Sequence, residues 1–112
     1  MELRFKNNTI KKQCEDPGRA QRDFGLRMGN LLTQRVGELA AATKLWDIKL
    51  IPAARLHRLH RSRKDQYAVE LVHPFRLVFS PILSEGVAIY DLKAIDLIRI
   101  EEVIDYHGKQ KR

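Results

Sequence analysis

The chain has a single cysteine, Cys14, so it cannot form an internal disulfide. A lone thiol suits a reducing compartment. Cysteine and histidine do not recur at the spacings of a zinc site, so no metal or other cofactor is expected. The N-terminal residues lack the apolar core of a signal peptide, and no apolar run approaches the roughly 20 residues that cross a bilayer. These absences predict a cytoplasmic protein with no membrane contact.

The chain also lacks internal repeats and a linker rich in proline or serine. Its 112 residues suit one domain, 1–112, that buries about two-thirds of the unfolded surface in a single core. The polar segment 108–112 is expected to be a frayed tail.

Positive charge is abundant and unevenly placed. The net charge is +7, and residues 1–64 carry 15 Lys and Arg against 6 Asp and Glu, whereas residues 65–112 carry 6 against 8. The densest stretch, 55–64, has five cations, two histidines and no acid. Its cations are Arg55, Arg58, Arg61, Arg63 and Lys64. We predict that they bind RNA phosphates, although a merely basic surface is the alternative.

The first half of the chain shows one strand and then helices. Leu3 and Phe5 alternate with charged residues, which predicts a strand, and residues 9–14 suit a short helix. Asp16-Pro17 then supplies an N-cap and a first-turn proline for a longer helix. Its core side would hold the apolar residues that recur at helical spacing: Phe24, Met28, Leu31, Leu32, Val36, Leu39 and Ala40. The polar residues would fall mostly elsewhere around the helix axis: Arg22, Arg27, Gln34 and Arg35.

The second half shows strands. Residues 67–71 and 75–79 alternate around His73-Pro74, which predicts a hairpin with Arg76 on the face turned away from the helices. The final strand, 98–106, would place Ile98, Ile100, Ile104 and Tyr106 on one side. This order predicts an α+β fold, in which the N-terminal strand and helices pack on one face of a mostly antiparallel sheet.

Four short motifs resemble the HigB type of bacterial toxin in the RelE superfamily. They are Leu56-His57, Arg63-Lys64-x-Gln66-Tyr67-Ala68-Val69, Phe75-Arg76-Leu77-Val78-Phe79 and Ile104-Asp105-Tyr106-His107. The resemblance implies a compact RelE-like fold and a ribosome-dependent endonuclease that cuts mRNA in the ribosomal A site. Relatives commonly carry glycines in the turn where this chain has residues 59–65, and their loss predicts a stiffer turn.

The resemblance also implies a catalytic set: His57, Arg76, Asp105, Tyr106 and His107. RNA can be cut without metal by a base, a cation that stabilises the phosphorane, and an acid. Either histidine could be the base or the acid, and Asp105 could orient one of them. Tyr106 could stack on a base or transfer a proton, and Arg76 could bind the phosphate. As alternatives, His57 is a solvated edge residue, Tyr106 a core aromatic and Arg76 an ordinary strand residue.

The implied partners are the ribosome, mRNA and an antitoxin with a helix-turn-helix domain (HigA-like), which alone would contact DNA. The basic stretch could equally dock onto an acidic segment of that antitoxin. Two rival functions stay open. One is a gyrase-inhibiting toxin of the same fold, and the other is a non-catalytic regulatory module that binds nucleic acid.

Overall fold

A computed structural model describes residues 1–105, which form four α-helices and a five-stranded sheet. The elements are β1 Glu2–Phe5, α1 Asn8–Glu15, α2 Pro17–Phe24, α3 Leu26–Ala41, α4 Leu45–Lys49, β2 His57–Arg58, β3 Tyr67–Glu70, β4 Phe75–Pro81 and β5 Leu97–Asp105. Short 3-10 turns lie at Pro52–Ala54 and Arg61–Arg63. The predicted tail, 108–112, lies outside the described residues.

The strand order in the sheet is β1-β5-β4-β3-β2. Only the β1–β5 pair is parallel, and every other neighbouring pair is antiparallel. The helices pack on one face of this sheet, where Leu77 and Phe79 are fully buried and Phe75 is partly buried. The α+β prediction, with helices on one face of a mostly antiparallel sheet, is therefore confirmed.

The predicted long helix is in fact two helices. Asp16 caps the first one as expected, with Oδ1 accepting from the backbone N–H of Gly18 at 3.0 Å. Gly25 then adopts φ 86°, a left-handed value that ends α2 and starts α3. The two helices approach closely at Gly29, where a Cβ atom would lie 2.7 Å from the backbone nitrogen of Gln21. Within residues 1–105, no helix has the length and apolar character needed to cross a membrane.

The last strand contains a β-bulge that changes which side chains face the helices. Phe79 pairs with Ile100, whereas Val78 pairs with Glu102, so Glu101 is an extra residue. The alternation reverses at this point. Ile98 and Ile100 face the helices, but Ile104 packs on the other face of the sheet in a small buried cluster with Leu59, Ala68 and Val78. The prediction that Ile104 shares a side with Ile98 and Ile100 is wrong for this reason.

Candidate catalytic cleft

A cleft lies on the sheet face that is turned away from the helices. His57 pairs with Ala68 across β2 and β3, and Glu70 pairs with Arg76 across β3 and β4. Paired residues of antiparallel strands point to the same face, so these side chains converge. The cleft has a volume of about 290 Å³ and is lined by Arg55, Leu56, His57, Glu70 and Arg76. The structure thus brings together two of the five candidate catalytic residues, His57 and Arg76.

The imidazole of His57 is oriented by its own chain. Its Nδ1 atom lies 2.7 Å from the backbone oxygen of Arg55. A carbonyl oxygen only accepts hydrogen bonds, so Nδ1 must carry the proton, and in the neutral ring Nε2 holds the lone pair. Nε2 is buried and has no hydrogen-bond partner in the described part of the chain. The neutral ring therefore has its lone pair at Nε2, and a substrate can reach this atom only after the groups that cover it move.

The backbone around this histidine takes an unusual conformation. Arg55 has φ 46° and Arg61 has φ 61°, both in the left-handed region that favours glycine. For other residues this conformation costs roughly 1–2 kcal/mol. The turn that lacks the glycines of the resembled family is thus built with arginine in a strained position. In this strained conformation of Arg55, the backbone oxygen of the residue points at Nδ1 of His57.

Arg76 is held by a neighbouring carboxylate that sequence reasoning did not identify. Its Nε atom lies 3.0 Å from Oε2 of Glu70, and the two side chains are 26% and 18% exposed. This Oε2 atom is buried and, among residues 1–105, accepts no hydrogen bond of good direction, so the contact is an ion pair. A carboxylate therefore lies beside the guanidinium that would bind a phosphate. The sequence places Glu70 on a strand of alternating apolar residues, which is the only signal for its role. Its partner, Arg76, is identified only by the register between β3 and β4.

A buried arginine supports both walls of the cleft. Arg35 is 4% exposed, although the sequence predicted it on the polar side of its helix. Its Nε donates to the backbone oxygen of Glu70 at 2.8 Å, and Nη2 donates to that of Ala53 at 2.9 Å. Its Nη1 donates to Oε1 of Glu38 at 3.1 Å. The prediction was wrong because these carbonyls come from segments distant in sequence, and together they satisfy a buried charge.

Of the three C-terminal candidates, the structure describes only Asp105, and this residue does not line the cleft. Asp105 is exposed and pairs with Phe75, which places it on the helix side of the sheet. Arg76 pairs with Ile104 and so lies on the opposite face. Tyr106 and His107 lie outside the described residues.

The basic segment is folded and uses some of its cations in structural contacts. Arg63 donates to Oε1 of Gln66 at 2.9 Å and to Oε2 of Glu102 at 3.0 Å. Arg58 donates from Nε to the backbone oxygen of Lys64 at 3.0 Å. The segment leaves three exposed cationic side chains for a polyanion: Arg55, Arg61 and Lys64.

Comparisons of the chain with protein-family models and with curated proteins find no match. The resemblance to HigB-type toxins therefore rests on the four motifs. In the part that the structure describes, no group of three or more His, Cys, Asp or Glu side chains could hold a metal ion.

Proposed function

We propose that this protein is the toxin of a type II toxin–antitoxin system and cuts mRNA in the ribosomal A site as a metal-independent endoribonuclease. One observation carries the proposal. The hydrogen bond from Nδ1 of His57 to the Arg55 oxygen leaves Nε2 as the proton acceptor of the neutral ring, and His57 and Arg76 line the same cleft. A base and a cation beside one cavity are two of the three groups that cleavage of an RNA phosphodiester requires.

In the proposed reaction, Nε2 of His57 takes the proton from a 2′-hydroxyl. The 2′-oxygen attacks the adjacent phosphorus, the bond from phosphorus to the 5′-oxygen breaks, and a 2′,3′-cyclic phosphate forms. Arg76 binds a non-bridging oxygen and stabilises the charge of the phosphorane. The departing 5′-oxygen then receives a proton from an acid. The resemblance points to Tyr106 or His107 for this role, whereas Asp105 faces the helix side of the sheet and does not line the cleft.

Glu70 explains why such a site would act on the ribosome and spare free RNA. Its carboxylate is paired with Nε of Arg76, so a phosphate competes with it for the guanidinium. The same negative charge repels an approaching polyanion. An mRNA already held in place by the ribosome loses little further freedom on entering the cleft, and so it can displace Glu70 more readily than free RNA.

The exposed cations Arg55, Arg61 and Lys64 would contact mRNA and ribosomal RNA beside the cleft. Such contacts release counterions, so binding to ribosomes should weaken steeply as salt rises. The proposed antitoxin has a helix-turn-helix domain for DNA and an acidic segment for this surface.

The decisive experiment expresses the protein from an inducible promoter and maps RNA ends. Growth should stop, and mRNA should be cut within codons only when it is being translated. His57→Ala and Arg76→Ala should each retain the fold and lower cleavage by roughly a hundredfold or more. His60→Ala is the matched control, because this exposed histidine lies in the same segment but outside the cleft.

Three outcomes would contradict the proposal. A folded variant that lacks both His57 and His107 yet cleaves at the parental rate would refute the chemistry. Growth arrest with intact mRNA and trapped gyrase would favour the rival toxin class. RNA binding with neither cleavage nor arrest would favour a regulatory module. Glu70→Gln tests the displacement step separately: it should strengthen binding of a short RNA to the isolated protein.

A further inference from the structure

A second cleft lies on the helix side of the sheet, between α4 and the loop that precedes β5. It has a volume of about 270 Å³ and is lined by Trp46, Lys49, Tyr90, Asp91, Leu92 and Lys93. Trp46 is the only tryptophan of the chain. None of these residues belongs to the basic segment or to the catalytic cleft.

Two ammonium groups lie close to the indole ring. Nζ of Lys93 is 4.8 Å from the ring centroid of Trp46, and Nζ of Lys49 is 5.8 Å from it. Both distances allow a cation–π interaction. Within residues 1–105, neither lysine has a carboxylate ion-pair partner within 4 Å, although Asp91 also lines the cleft. The cleft thus combines an aromatic surface with two ammonium groups and one carboxylate, and the cations outnumber the acid.

Tyr90 presents its ring to solvent from an anchored turn. Tyr90 is 72% exposed. The turn is closed by hydrogen bonds from the N–H of Asp91 to the oxygen of Ala88 at 3.0 Å and from the N–H of Leu92 to the oxygen of Tyr90 at 3.1 Å. The preceding residue, Ile89, accepts a hydrogen bond from the Tyr67 hydroxyl at 2.8 Å. The exposure of Tyr90 is therefore fixed by the fold around it.

We propose that Trp46, Lys49, Tyr90 and Lys93 form a second RNA-binding site, which accepts single-stranded RNA. A base stacks on the exposed ring of Tyr90, and the two lysines bind the flanking phosphates. Aromatic rings beside cationic groups are the usual means of holding single strands, because every base has a face that can stack. An acidic peptide would be attracted by the lysines but has no base to stack on Tyr90.

The edge strand β2 links this site to the catalytic cleft. His57 and Arg58 are adjacent residues of this strand, so they point to opposite faces of the sheet. His57 lines the catalytic cleft, whereas Arg58 pairs with Tyr67, whose hydroxyl anchors the Tyr90 turn. A single strand that passes over β2 would therefore come near both sites. The inference does not depend on cleavage, since it concerns binding alone.

The test is a titration of the protein with short single-stranded oligoadenylate, followed by the fluorescence of Trp46. Emission should change saturably. Tyr90→Leu removes the ring and should weaken binding roughly 5- to 150-fold, whereas Tyr90→Phe should retain it. Replacing Lys49 and Lys93 by alanine should lower the salt dependence. Lys12→Ala removes an exposed cation of α1 and is the control that should bind like the parent.

The results that would overturn the proposal are equally definite. Parental affinity in a folded Tyr90→Leu variant would exclude stacking. An equal change in emission with polyglutamate or polyphosphate, at equal affinity, would show that charge alone is recognised. His57→Ala should retain this binding while losing cleavage, so failure at one site is distinguishable from failure at the other.

Discussion

Replacement of Arg35 by alanine should destabilise the domain strongly, because its guanidinium holds three separate segments together. The side chain is 5% exposed and pairs with Glu38 on the same helix. It also donates to the backbone oxygens of Glu70 at 2.8 Å and Ala53 at 2.9 Å. The variant would leave both carbonyls without this donor. Glu38, whose side chain is 19% exposed, would keep only a hydrogen bond from Gln34 at 3.2 Å.

The expected loss can be estimated from these contacts. Removing one partner of a buried ion pair costs roughly 3–5 kcal/mol, against a total stability of about 5–15 kcal/mol. An unfolding entropy of about 2.1 cal/mol/K per residue converts this loss into a fall in Tm of roughly 13–20 °C for a chain of 112 residues. The partial exposure of Glu38 favours the lower end, because water can solvate its carboxylate.

Thermal and urea unfolding followed by circular dichroism would measure the effect. Arg22→Ala is the matched control, since its side chain is 71% exposed and its contact with Asp23 spans 3.6 Å. It should change stability by less than about 0.5 kcal/mol. If Arg35→Ala melted within about 3 °C of the parent, which corresponds to less than about 1 kcal/mol, Arg35 would not support the cleft walls.

Two further predictions concern the helices. Gly29→Ala should destabilise by roughly 1–3 kcal/mol, because its Cβ would lie 2.7 Å from the Gln21 backbone. Gly37→Ala, where a Cβ has nothing within 4 Å, should be neutral or stabilise by up to about 1 kcal/mol; a urea midpoint for each variant decides. Burial, with a smaller contribution from Glu15, raises the pKa of the Cys14 thiol to about 12. Iodoacetamide at pH near 8 should therefore label the native protein only as fast as it opens, and rapid labelling would contradict this.

Local sequence signals predicted most helices and strands. They failed where a single backbone angle ends one helix and starts the next. Asp16 and Pro17 marked a helix start because capping and a fixed φ act within one turn. The break at Gly25 was not predicted, because the helical spacing of apolar residues continues across it from Phe24 to Met28. Nothing in that spacing distinguishes a helical glycine from one at φ 86°. The close approach of α2 and α3 at Gly29 likewise depends on contacts between two helices, which the spacing along one helix does not show.

The bulge shows how one residue can reposition a candidate site. Ile98, Ile100 and Ile104 are separated by even numbers of residues, which predicts one face of a regular strand. The pairing with β4 skips Glu101, so every residue after it points the other way relative to that prediction. The pairing of β5 with β4 determines which face each residue of β5 points to. The alternation of apolar residues within β5 does not contain this information. The bulge moves Ile104 onto the face of Arg76 and leaves Asp105 on the helix side.

The charges of the site show a similar division between local and distant causes. Short motifs identified His57 and Arg76 as candidates. Glu70 is identified only by the strand register, which places it beside Arg76. The net charge of the sequence includes every arginine, whether its side chain is exposed or buried. In the folded chain, however, Arg35 is buried and Arg63 is paired with Glu102, so neither adds an exposed cation. In the proposed function, the attraction for RNA must therefore come from the cations that the fold leaves exposed, and those are fewer than the sequence suggests.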